Sequence, residues 1–160
     1  MKYSHRTWIV ISGLIWLAVG VLLLTKGLVY TVGSVTTLNE PSAVLSFVLN
    51  FTGTVEQAAL FLISLGLLVG FVKGRYVLVK TVRRVVHRIL AQGSPIHWKD
   101  VYSRGYYTIL FSMMLLGMLF KWLPIGLVVK GFIDVAIGSA LINGALLYFR
   151  EAMAYRRKAE

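Results

Sequence analysis

Four stretches of this chain stay apolar for longer than a soluble fold requires, and short polar or basic segments separate them. They run from about Trp8 to Gly27, Val55 to Val72, Gly105 to Leu123 and Gly131 to Phe149. A helix rises about 1.5 Å per residue, so crossing roughly 30 Å of hydrocarbon takes about 20 predominantly apolar residues. Each stretch meets that length. Pro124 ends the third, because proline breaks the helical hydrogen-bond ladder. The short turn that follows makes the third and fourth helices an antiparallel hairpin. The expected fold is an all-α integral membrane protein, with residues 1–160 forming a single domain. It is an antiparallel bundle of four transmembrane helices with a basic amphipathic cytoplasmic extension of helix two.

Two segments need separate treatment. Within the outer loop, residues 31–54, Asn39, Glu40 and Pro41 form a helix-start signal. Ser42 to Phe51 is apolar but too short to cross; segments of about 10–14 such residues are interfacial or re-entrant. The interfacial placement is the expectation. At the N-terminus, Met1 to Arg6 precede an apolar run in the manner of a signal peptide. The run from Thr7 to Thr25 exceeds a typical signal h-region and no A-x-A-like site follows, so it reads as a retained first helix.

Composition agrees with this pattern. Hydrophobic residues make up 58% of the chain, mean hydropathy is +0.76 and only 14% of residues are charged, against about 25% in soluble domains. No room remains for a separate soluble domain. The absence of cysteine excludes disulfides, thiolate metal sites and a cysteine nucleophile.

Net charge is +11. In a soluble protein this would suggest nucleic acid; here its distribution gives another reading, and no nucleic-acid partner is expected. One side of the predicted bundle holds Lys2, Arg6, Lys73, Arg75, Lys80, Arg83, Arg84, Arg88, Lys99, Arg104, Arg150, Arg156, Arg157 and Lys158, which is 14 of the 17 basic residues. The other holds Lys26, Lys121 and Lys130. The six acids divide equally, so the first side carries the whole +11. Positive residues stay cytoplasmic. Both termini are therefore expected in the cytoplasm, and the setting is a bacterial inner (cytoplasmic) membrane.

Small residues recur at helical spacing. Gly66, Gly70 and Gly74 lie four apart, Gly13, Gly20 and Gly27 seven apart, and Ala136, Ala140 and Gly144 four apart. In lipid, helices associate through close packing and weak polar contacts rather than through hydrophobic force. Packing within the bundle is the first expectation for these faces. A homo-oligomer interface on the Gly66 face, or contact with another membrane protein, is the alternative.

After helix two, Leu78, Val82, Val85, Val86 and Ile89 fall at helical spacing from Lys73 to Leu90, with basic residues on the other side. Such a helix lies at headgroup level with its arginines toward lipid phosphates, each contributing on the order of 1 kcal/mol. The candidate lipid- or partner-binding residues are Lys73, Arg75, Lys80, Arg83, Arg84 and Arg88. The Lys73-Gly74-Arg75 junction is the best candidate for a headgroup pocket.

Ionisable and polar groups are costly within a span and mark candidate functional positions. Asp134 is the one acid inside a predicted span, with Lys130 four residues earlier. An outer-rim ring of Lys26, Lys121, Lys130, Glu56 and Asp134 is the expectation, its lysines snorkelling to water. Ser139 and Asn143 lie deeper and bond across helices, as do Ser12, Ser64 and Ser112. In the alternative reading Asp134, Ser139 and Asn143 line a pathway. Trp8, Trp98, Trp122, Tyr106 and Tyr107 fall where an aromatic belt would.

The Met114-x-x-x-Met118 spacing resembles the thioether pair in a transmembrane helix of the copper-uptake transporters, whose soft sulfur ligands suit Cu(I). The likeness covers those two residues only. The chain lacks a methionine-rich N-terminus and a Cys/His tail, and no metal or other cofactor is expected. His5, His87 and His97 are scattered, and no P-loop, GxSxG or paired intramembrane carboxylate is present. The chain reads as a non-enzymatic membrane component acting through helix packing and a basic face that binds anionic phospholipids or a partner protein. The rival reading is a small oligomeric channel or transporter.

Overall fold

The computed structural model describes residues 5–37, 43–91 and 126–159, together with Leu115 and Trp122. Among these residues the fold is all-helical and holds no strand. α1 spans His5–Thr37, α2 Ala43–Thr52, α3 Val55–Lys73, α4 Val79–Ala91 and α5 Leu127–Ala159. A π-helical turn, Gly74–Leu78, joins α3 to α4 without a break: Lys73, Gly74 and Val79 all keep right-handed helical backbone angles. Three segments are long and apolar enough to cross a membrane, Arg6–Ser34, Val55–His87 and Leu127–Tyr155. Apart from Leu115 and Trp122, the predicted third helix, Gly105–Leu123, lies outside the described residues, as does its turn into the fourth.

α5 organises the bundle by using two of its faces. The first carries small residues seven apart: Gly131, Gly138, Ala145 and Ala152, all buried. Against it α1 sets Gly13, Gly20 and Gly27 in antiparallel register, so that Gly27 meets Gly131 and Gly20 meets Gly138. A Cβ on Gly27 would stand 2.6 Å from the Val135 nitrogen, and one on Gly138 2.6 Å from the Leu24 nitrogen. Only glycine fits at that separation. A seven-residue repeat falls just short of two helical turns, and therefore keeps a seam along a left-handed crossing. Thr31 is enclosed in the same seam, its hydroxyl donating to the Gly27 carbonyl at 2.8 Å.

The second face of α5 meets α3 in parallel. Gly66 packs near Phe132, Gly70 near Ala136, Gly74 near Ala140 and Leu78 against Gly144, a constant offset between the two helices. At Gly70 an added Cβ would collide with the Ala136 carbonyl oxygen and stand 2.8 Å from the Ser139 Cβ. The glycine face of α3 is thus occupied within the chain, and an oligomer would have to use another surface.

The four-residue repeat also accounts for the π turn. From Gly66 to Val86 the buried positions on this helix include 66, 70, 74, 78, 82 and 86. With 3.6 residues per turn, a spacing of four drifts about 40° per step, or roughly 200° over that length. A straight α-helix would carry Val86 to the far side. A π turn takes up an extra residue, which removes about half of that drift and returns Val82 and Val86 to the bundle.

Two apolar clusters cap the ends. One joins Trp8, Ile9 and Trp16 of α1 to Leu78, Val82 and Val86 and to Leu141, Ala145, Tyr148 and Ala152 of α5. The other joins Leu45 and Val48 of α2 to Ala58, Ala59 and Leu62 of α3 and Val128 of α5. α2 turns back onto α3 through Gly53, whose φ of 77° suits glycine, and Thr54 caps α3 by accepting the Gln57 amide. Phe47 and Phe51 of α2 pair edge-on and stay exposed.

Several expectations change. α1 and α5 continue well past Gly27 and Phe149, because an apolar run marks only the apolar part of a helix and not where the helix ends. At 33 residues each they are about 50 Å long. Trp8 is not a belt residue: it is 2% exposed, enclosed between α1, α4 and α5. Nor does α4 lie with its apolar stripe free for lipid, since Val82 and Val86 are covered by the bundle. Trp98, Tyr106 and Tyr107 lie outside the described residues, and Trp122 is exposed.

Overpacking of a close helix contact costs about 1–3 kcal/mol. Gly70→Ala should lower the thermal stability of the detergent-purified protein by an amount in that range. Gly33→Ala, where the added methyl meets nothing within 4 Å, should be neutral or slightly stabilising, since alanine is the better helix former. Thermal unfolding of the two variants side by side checks both.

Candidate functional site

The basic end of the bundle is where α1 starts, α4 ends and α5 ends. There the π turn contributes Arg75, α4 contributes Arg83, and α5 contributes Arg150 and Glu151. These four line one cleft of about 360 Å³ whose remaining walls are Val79, Val82, Leu147 and Ala154. The parallel seam explains the meeting. α5 continues alongside the π turn and α4, so the first charged residues after its apolar run, Arg150 and Glu151, arrive beside Arg75 and Arg83.

Three guanidinium groups and one carboxylate give the cleft a net positive lining. The arginines are exposed and Glu151 is half-buried. Among the described residues, no ion pair within 4.0 Å neutralises any of the three. Guanidinium presents a rigid planar fork of donors that matches carboxylate and phosphate oxygens, so the arrangement suits an anion bearing several acceptors.

Of the six basic residues singled out from sequence, Arg75 and Arg83 enter the cleft. Lys73, Lys80 and Arg84 are exposed on the same helix but do not line it. Arg88 belongs to α4, and its side chain lies outside the described set. Arg150 and Glu151 escaped the sequence reading as site residues. The signal was available in the matched spacing of Gly66, Gly70 and Gly74 with Ala136, Ala140 and Gly144, but using it requires knowing that those helices run parallel.

At the opposite end, within the expected rim of charges, Lys26 Nζ lies 3.4 Å from Asp134 Oδ2. Lys26 also sits 5.2 Å from the centre of the Tyr30 ring, a cation–π distance. Glu56 lies in the first turn of α3, where a negative charge is favoured by the helix dipole. Lys121 lies outside the described residues.

Of the polar side chains expected to bond across helices, Ser139 does so, whereas Asn143 bonds within its own helix. The Ser139 hydroxyl donates to the Leu67 carbonyl of α3 at 3.1 Å, and the Asn143 amide donates to the Ser139 carbonyl at 2.9 Å. Ser12 is buried and Ser64 exposed. Asp134 turns toward α1 and Ser139 toward α3, so the structure does not gather Asp134, Ser139 and Asn143 on one channel wall. Ser112, Met114 and Met118 lie outside the described residues. Among the described residues no three His, Cys, Asp or Glu side chains cluster as a metal site would need.

No protein family, curated protein or solved structure matches this chain. The site is therefore read from its own residues.

Interhelical hydrogen bonds in membrane proteins average about 0.6 kcal/mol. Ser139→Ala should destabilise the bundle by roughly that amount and leave any solute flux in proteoliposomes unchanged. A loss of flux without a loss of stability would instead assign Ser139 to a pathway.

Proposed function

We propose that this chain is a non-enzymatic, multi-pass membrane protein whose basic end binds anionic phospholipid at the cytoplasmic surface. The observation that carries the reading is the gathering of arginines from three elements at one end of the bundle, with no ion-pair partner among the described residues. At the opposite end Lys26 pairs with Asp134.

The membrane setting is supported by the three long apolar helices and by what they expose. Leu22 is 70% accessible, Leu60 65% and Leu68 59%. Contiguous apolar surface on that scale needs a covering, and lipid supplies one along the whole length of the rods. α1 runs against α5, whereas α3 runs with it. If α3 and α5 both cross, the chain between them has to return to the starting side, and the apolar stretch Gly105–Leu123 is long enough to do so. On this reading the chain has four spans with both termini at the basic end, which the positive-inside rule assigns to the cytoplasm.

Each basic residue near an anionic surface contributes on the order of 1 kcal/mol. Replacing Arg83, Arg84 and Arg88 together by glutamate should therefore abolish preferential retention of anionic over zwitterionic lipid, read by native mass spectrometry of the purified protein. Retention unchanged in that triple variant would remove the proposal.

A further inference from the structure

We propose that the cleft between the π turn, α4 and α5 is a site for a phosphomonoester group, carried either by a lipid of the phosphatidic acid type or by a soluble phosphate ester. The inference rests on the reading of the basic end as an anion-binding surface and narrows it to one place and one ligand charge.

Charge and donor geometry select the group. Arg75, Arg83 and Arg150 contribute three positive charges to the lining and Glu151 removes one, leaving +2. A phosphomonoester carries about −1.5 to −2 charges near neutral pH and offers three terminal acceptor oxygens. A phosphodiester carries a single charge on two terminal oxygens, which leaves part of this donor set unmatched. Arginine forks form paired hydrogen bonds to phosphate oxygens, and the cleft is lined by two such residues from the continuous helix through the π turn and α4 and by one from α5.

The rest of the cleft fits an amphiphilic ligand. Val79, Leu147 and Ala154 line the cleft beside the charges, so part of its wall is apolar. The volume of about 360 Å³ lies near the lower bound of small-ligand pockets, about 300–1,000 Å³. Arg75 follows the apolar run of α3 by three residues, and Arg150 directly follows that of α5. The cleft therefore opens at the depth where headgroup phosphates lie.

The test is calorimetric titration of the full-length protein in mild detergent with short-chain phosphatidic acid, short-chain phosphatidylglycerol, short-chain phosphatidylcholine and glycerol 3-phosphate. Phosphatidic acid should bind at least about tenfold tighter than phosphatidylglycerol. Arg83→Gln and Arg150→Gln should each weaken it about tenfold, as losing a charge-assisted hydrogen-bond partner implies. Arg6→Gln removes the same charge from the same end without touching the cleft, and should have little effect. Glu151→Gln should tighten binding, a direction that a folding defect cannot produce. Binding of glycerol 3-phosphate as tightly as phosphatidic acid would support the site with a soluble ligand; much weaker binding would support it with a lipid. Equal affinity for both lipids, with Arg6→Gln as costly as Arg83→Gln, would overturn the cleft and leave a diffuse basic face. No preference for either anionic lipid over phosphatidylcholine would overturn the broader reading as well.

Discussion

Along the helix Leu127–Ala159, two neighbouring helices approach so closely that a single methyl group would strike their backbone. Glycine and alanine at seven-residue spacing admit α1 on one face, and alanine and glycine at four-residue spacing admit α3 on another. A bundle in lipid gains little from hydrophobic association, because lipid tails are as apolar as leucine. Dispersion between backbones in contact replaces it, and dispersion falls away within an ångström of added separation. Many large apolar residues, leucine, valine and phenylalanine among them, lie instead on the exposed sides of α1 and α3.

The charge arrangement at the basic end follows from that packing. A four-residue seam on a helix of 3.6 residues per turn cannot continue straight, and the π turn at Gly74–Leu78 restores it. The same turn carries Arg75, and the seam it preserves brings α4 alongside the emerging end of α5. Arg83 and Arg150 thus come to line one cleft because Gly70 and Ala136 touch one helix length away. Packing residues in the span set the geometry of charged residues beyond it.

Much of this was legible in the sequence. The apolar blocks located the cores of α1, α3 and α5, and the glycine and alanine spacings marked the faces that pack. The segregation of arginine and lysine separated the two ends. Other features were hidden for identifiable reasons. Hydropathy cannot register a helix that continues into water, so Thr37 and Ala159 were missed as termini. Trp8 resembled an interfacial anchor because its position along the span is right, but its orientation is set by Tyr148 and Val82, which are far away in the chain. Arg150 and Glu151 looked like ordinary flanking charges until the parallel sense of α3 and α5 placed them beside Arg83.

The account requires α3 and α5 to cross the membrane in the same direction, with the arginine-rich end inside. The chain contains no cysteine, so single engineered cysteines report without background. A membrane-impermeant thiol reagent applied to intact cells should label cysteine at Phe51 and Glu56 and spare cysteine at Arg84 and Met153, which should react only after the membrane is opened. Labelling of position 84 from outside, or of 56 and 84 from the same side, would contradict the account.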